Sequence, residues 1–147
     1  MFTLEPGSEL ALLLRILAAG VFAALLGWER ESAHKSAGLR THIVVGIASA
    51  LYTVLATLAV QDYPRQEGLD ADPIRVIQAI AIGIGFLGSG VIFVSQAGER
   101  VLGLTTAASI WATAAVGVAA GLGYYLLSAV TTILLLLVLR ALPRPGD

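Results

Sequence analysis

Ser8–Trp28 reads SELALLLRILAAGVFAALLGW, an apolar run whose interior is broken by one charge, Arg15. A helix rises about 1.5 Å per residue, so roughly 20 residues cross a hydrocarbon core of about 30 Å. This run is long enough. It is too long for the apolar core of a cleaved leader, and Met1–Glu9 holds Glu5 and Glu9 but no Lys or Arg. It therefore reads as a retained span. Four more runs of the same kind follow: Thr41–Val60, Pro73–Ser95, Leu104–Gly121 and Tyr124–Leu142. Asp72 suits the N-cap of the third, with Pro73 at its first position. Thr105 and Thr106 open the fourth, and Pro143 closes the fifth. The chain is expected to be an all-α integral membrane protein, one domain over 1–147 with about five transmembrane helices.

Composition agrees. Charged residues make up 13% of the chain and hydrophobic ones 57%, against about 25% charged in soluble domains, too few to clothe a soluble domain of this size. The net charge of −1 gives no basic field for nucleic acid. The absence of cysteine excludes disulfides and cysteine-ligated metal.

Loop charge sets an expected orientation. Arg30, Lys35 and Arg40 lie in the first connection, Arg100 in the third, and Arg140 and Arg144 at the tail. The second connection is acidic, with Asp62, Glu67, Asp70 and Asp72, and the fourth turn is uncharged. Positive loops stay cytoplasmic, so the N-terminus is expected outside and the C-terminus in the cytoplasm. Arg75 is the mild exception.

Gly83-Ile84-Gly85-Phe86-Leu87-Gly88 matches the spacing of dinucleotide-binding turns. Such a turn needs a preceding strand, a helix opening at it and an acidic residue about 20 positions on; this run lies inside an apolar span. With Gly90, its glycines read as surfaces for close helix packing. A kink between Gly85 and Gly90 is the alternative, and breaks at membrane depth often line substrate sites. In the fourth span Gly117 and Gly121 form a small-xxx-small pair among Ala108, Ala112, Ala115 and Ala119. That helix is built to be approached, by a neighbour or by another copy. Ser109 and Thr113 are placed to bond back to their own backbone. Leu134–Leu139 reads as lipid-facing.

Arg15 costs about 2.5–3.5 kcal/mol at a helix centre. It either snorkels to the outer surface or pairs with Asp72 or Asp62. The first connection gathers Glu29, Arg30, Glu31, His34, Lys35, Arg40 and His42. Glu29 and Arg30 follow Trp28, at the interface. Arg40 and Thr41 open the second span, and Thr105 and Thr106 bring another helix N-terminus to the same level. Glu29 or Glu31 paired with Arg40 would lock the first hairpin. No cofactor is expected. Mg2+ needs oxygen ligands, for which Glu29 and Glu31 on one side and Asp62, Asp70 and Asp72 on the other are the candidates. No carboxylate lies at mid-bilayer, although hydroxyls such as Thr53, Ser89 and Thr113 can line a path. No nucleophile sits beside a base, so no enzyme is expected.

Five motifs occur in order: Gly27-Trp28-Glu29-Arg30-Glu31, Ala37-Gly38-Leu39-Arg40-Thr41-His42, Asp72-Pro73-Ile74-Arg75, the Gly83–Gly88 run, and Gly103-Leu104-Thr105-Thr106-Ala107-Ala108 with Trp111. Together they resemble the membrane domain of the MgtC/SapB family, the magnesium transporter-C family, over about Gly20 to Leu126, without the soluble C-terminal domain that many members add. The resemblance implies a multi-pass bacterial inner-membrane protein of magnesium homeostasis and adaptation to low magnesium, linked in some pathogens to virulence. It implies a regulator acting on membrane partners such as the F-type ATP synthase, or on a second copy, with cation transport as the alternative. The functional polar cluster would then be Glu29, Arg30, Glu31, Arg40, Thr41, Asp72, Arg75, Thr105 and Thr106.

Overall fold

The structure is a computed structural model and describes residues 6–62, 72–94 and 101–142. Five helices follow in order: α1 (Pro6–Ser32), α2 (Leu39–Asp62), α3 (Pro73–Ser89), α4 (Leu104–Gly121) and α5 (Tyr125–Ala141). Between α3 and α4 lie two short strands, β1 (Phe93–Val94) and β2 (Val101–Leu102), paired antiparallel. Residues Ser8–Ser32, Leu39–Gln61 and Leu104–Gly121 are long and apolar enough to cross a membrane by themselves; α3 and α5 are apolar but shorter, at 17 residues each. The protein is a multi-pass membrane protein.

The third apolar run is expected to stay helical to Ser95, and α3 ends at Ser89 instead. The reason is local. Gly88 and Gly90 flank Ser89, whose Oγ donates to the Phe86 carbonyl at 2.6 Å. A serine bonded to its own backbone between glycines supports the helix poorly. The turn continues with Val91 N–H donating to Gly88 O and Ile92 N–H to Ser89 O, and the chain leaves as a strand. At the other end of α3, Asp72 Oδ1 accepts the Ile74 N–H at 2.8 Å, the N-cap the sequence called for.

α1, α2 and α4 form the central trio; α3 rests on α4 and α2, and α5 on α1 and α4. α2 lies against both α1 and α4 with no room for a further methyl group. A Cβ on Gly46 would lie 2.5 Å from Ala23 Cβ, and one on Gly117 would lie 2.5 Å from the Gly46 carbonyl oxygen. One turn on, a Cβ on Gly121 would lie 2.8 Å from Ala50 O. Gly46 and Ala50 on α2 thus meet Gly117 and Gly121 on α4 at the same four-residue spacing, with Ala19, Ala50 and Ala120 fully buried beside them. In lipid, where apolar contact between helices gains nothing from leaving water, this intimacy is the main source of cohesion.

Two helix ends are closed by the same device. At the end of α1, Lys35 N–H donates to Arg30 O and His34 N–H to Glu31 O. At the end of α4, Tyr124 N–H donates to Ala119 O and Gly123 N–H to Ala120 O. Both are Schellman turns with a left-handed residue at the bend: Gly123 with φ 88°, and His34, less comfortably, with φ 54°.

Candidate functional site

The last turn of α1 divides its side chains. Trp28 points outward, 66% exposed, while Glu29 and Arg30 turn inward, and Arg30 is completely buried. Arg30 Nε donates to Glu29 Oε2, and the two form an ion pair. Arg30 Nη2 reaches across to the Leu139 carbonyl of α5 at 3.4 Å. That carbonyl is an orphan for a reason written in the sequence. Its helical donor would be the residue four on, which is Pro143 and has no N–H. Arg30 Nη1 is buried with no acceptor among the described residues.

Arg15 plays the matching part at the opposite end of α1. Its Nη1 donates to the Gly121 carbonyl at 3.3 Å, and its guanidinium covers Gly123. The partner is therefore the carbonyl-rich end of α4, where a cation is favoured. Asp72, offered by the sequence as its partner, instead caps α3; the Asp62 side chain lies outside the described residues. The two arginines of α1, about 22 Å apart along the axis, thus clamp the C-terminal ends of α4 and α5.

The start of α2 fits against α1 with little tolerance. A Cβ on Gly27 would lie 2.8 Å from Leu39 Cα and 2.9 Å from His42 Cβ. Glu31 Oε2 accepts the Leu39 N–H at 2.8 Å, so a carboxylate from α1 caps α2. Gly38 leaves room for it, since a Cβ there would lie 2.7 Å from that oxygen. The expected lock between Glu29 or Glu31 and Arg40 is not what holds this hairpin: Arg40 is exposed, Glu29 goes to Arg30, and Glu31 goes to a backbone N–H.

His42 links this end to α4. It is fully buried, with Nδ1 2.9 Å from Gly38 O and Nε2 3.1 Å from Ser109 Oγ. A carbonyl only accepts, so Nδ1 carries a proton and donates. Ser109 Oγ also lies 2.8 Å from Thr106 O. Its single proton serves either that carbonyl or the imidazole nitrogen. Thr113 donates to Ser109 O at 2.8 Å, the back-bond its spacing predicts.

The nine residues grouped from sequence fall in two places. Glu29, Arg30 and Glu31 share one end of the bundle with Thr106, which is buried, and with Thr105, Arg40 and Thr41, which are exposed. Asp72 and Arg75 stand at the far end of α3, 16 and 13 residues before Gly88, which touches Ala107 in the first turn of α4; those separations are about 24 and about 20 Å of helix. His42 and Ser109 complete the inner group and were visible only as a lone histidine and a lone serine. Of the glycines expected to pack helices, Gly117 and Gly121 meet α2, Gly88 makes ordinary contact with Ala107, and Gly90 meets only Leu87 O of its own helix end. Gly83 and Gly85 have no atom beyond their own helix backbone within 4 Å of where a Cβ would stand, so neither packs against another described element. Gly27 and Gly46 do pack, and the signal for Gly46 was its four-residue spacing from Ala50, the same as Gly117 to Gly121. Among the described residues no three His, Asp or Glu side chains gather as metal ligands do; Asp70 lies outside them.

Comparison with known proteins bears on the whole of this region. The MgtC family profile matches residues 16–145. Protein MgtC of Brucella abortus is 42% identical over 129 residues, covering 86% of this chain and 50% of that protein. YhiD of Escherichia coli K12, provisionally named a magnesium transporter, is 37% identical over 128 residues, covering 87% and 59%. Protein SapB of Bacillus subtilis is 33% identical over 132 residues, covering 90% and 56%. The chain thus spans little more than half the length of these curated relatives. No solved structure matches.

Proposed function

The chain belongs to the MgtC family, and from that premise we propose that it serves magnesium homeostasis in the bacterial inner membrane, acting through membrane partners rather than as an enzyme or an ion path. The magnesium connection comes from the family and from the name of the E. coli relative. The observation that carries the rest is the crossing of α1, α2 and α4. Helices that leave no room for a methyl group at Gly46 and Gly117 leave none for an ion, least of all for Mg2+, which gives up water reluctantly. The buried charges at one end of the trio, Glu29 and Arg30, are paired with each other, which leaves no unpaired buried carboxylate among the described residues there to draw a cation in. α3 offers a glycine face for outside contacts: Gly83 and Gly85 are open, and Ile82 and Phe86 beside them are exposed. The proposed occupant of that face is a transmembrane helix of another protein, with the F-type ATP synthase the machine that the resemblance implies.

The proposed topology has five crossings, with the N-terminus outside and the C-terminus cytoplasmic. Lys35, Arg40 and Arg140 lie at one end of the bundle, and positive residues are retained inside. Reporter fusions at Gly68 and after Leu142 should report opposite compartments.

The test of function is complementation joined to capture. In a bacterium lacking its own family member, this chain should restore growth at low magnesium, and a photo-crosslinker at position 83 or 85 should trap a membrane protein. Restored growth with crosslinks to lipid alone would sink the contact reading. Transport is the second reading, favoured by the name of the E. coli relative.

A further inference from the structure

The connection between α3 and α4 has the wrong surface for a loop in water. α3 spans about 25 Å, short of the roughly 30 Å hydrocarbon core. Past its end the chain stays apolar through Val91, Ile92, Phe93 and Val94, is polar over 95–100, and turns apolar again at Val101 and Leu102, which lead back into α4. The base of this ribbon is fixed. Val91 packs on the buried cluster of Ala37, Val45, Ile110 and Ala114. Gly103, with φ 85°, sits where a Cβ would overlap the Val91 carbonyl oxygen, so the return strand passes hard against the outgoing one.

Beyond that base, Phe93 pairs with Leu102 and Val94 with Val101. All four side chains are exposed, Phe93 by 54% and Val94 by 63%. The apolar surface they make continues into Leu87 on α3 and Leu104 on α4, also exposed. This is the surface that meets lipid on the helices. The ribbon cannot sit deep in lipid, because its outer edges carry backbone groups with no neighbouring strand among the described residues, and hydrocarbon offers them no partner. Only one level answers both demands. At the boundary between headgroups and acyl chains, apolar side chains reach hydrocarbon while backbone edges meet water and headgroup oxygens.

We propose that the Phe93–Val94 and Val101–Leu102 ribbon is a lipid-inserted wedge, seated at the headgroup–acyl boundary of the leaflet on the Glu29–Arg30 side. Its partner is the phospholipid leaflet itself. Arg40 and Arg140, exposed on the same side, add attraction for anionic headgroups. The wedge completes the span that α3 leaves short and fixes the depth of that helix. The inference rests on the membrane reading and is independent of magnesium.

The chain has no cysteine, so Val94→Cys and Leu102→Cys each place a single thiol for an NBD label on the full chain. The labelled proteins are reconstituted in phosphatidylcholine–phosphatidylglycerol vesicles carrying a doxyl quencher either high on the acyl chain or near its end. Both labels should emit to the blue of their emission in water, lose more fluorescence to the shallow quencher than to the deep one, and resist aqueous iodide. Leu134→Cys on the exposed face of α5 and the exposed Ser36→Cys supply the lipid and water references. Strong iodide quenching without doxyl quenching would place the ribbon in water and overturn the proposal. Protection from all quenchers would mean that protein, a second copy included, covers it, and would overturn it equally. Deep quenching exceeding shallow would refute the assigned depth.

Discussion

In α4, Gly117 and Gly121 lie against the backbone of α2; in α3, Gly83 and Gly85 face open space. Both helices are apolar and both are dense in glycine, so sequence alone treats them alike. What separates them is the neighbour. α4 crosses α2 where α2 carries Gly46 and Ala50 at the matching spacing, so two bare surfaces coincide and the backbones close. No such surface among the described residues meets Gly83 or Gly85. A small-residue pattern therefore announces that a helix can be approached, and only its counterpart on another helix says by what.

The contrast makes ranked predictions. The largest effect belongs to Arg30→Ala, which leaves the Glu29 carboxylate buried without its cation and Leu139 O without a donor. Breaking such a pair costs about 3–5 kcal/mol, read as a fall in the midpoint of denaturation in detergent. Glu31→Ala should fall well short of that, because its bond to Leu39 is at the surface. Next comes Gly117→Ala, whose methyl meets the Gly46 carbonyl and forces α2 and α4 apart. Overpacking of this kind costs about 1–3 kcal/mol. Gly83→Ala on the same assay should leave the midpoint unchanged or slightly raised, since alanine favours helix. A comparable loss for both would abolish the distinction between the two helices. Smaller again is Ser109→Ala, which removes the partner of His42 Nε2 at a cost of about 1 kcal/mol. The smallest change is a gain: His34→Gly relieves a left-handed bend that glycine adopts freely, adding up to about 1 kcal/mol.

Much of the fold was legible because the solvent dictates it. Apolar runs of bilayer length mark helices; Asp72-Pro73 marks the start of α3, and α4 starts at Leu104 as its run does, although no side chain, Thr105 and Thr106 included, caps it. The early end of α3 was visible as a choice between packing and a break, and the structure takes the break, at Ser89 between two glycines. The arginines were harder. Acidic partners are expected for Arg15 and Arg40, yet Arg15 caps a helix end, Arg40 is exposed, and it is Arg30 that takes Glu29, dividing its guanidinium between that carboxylate and a carbonyl. A carbonyl is borne by every residue, so side-chain patterns do not advertise it; only Pro143, four residues past Leu139, hinted at one that lacked a donor. The inner group was legible in part. Glu29, Arg30 and Glu31 are contiguous, but their link to Ser109 runs through His42, 67 residues away in the chain. Asp72 and Arg75 joined the group only through the family resemblance, and the length of α3 sets them apart from it.

The central claim is that the packed crossing at Gly46 and Gly117 closes this bundle to ions. Purified protein in liposomes loaded with a magnesium-sensitive dye tests it most directly. The account predicts an influx equal to that of protein-free vesicles across the range of external magnesium. A saturable influx that grows with the amount of protein would contradict it and establish transport.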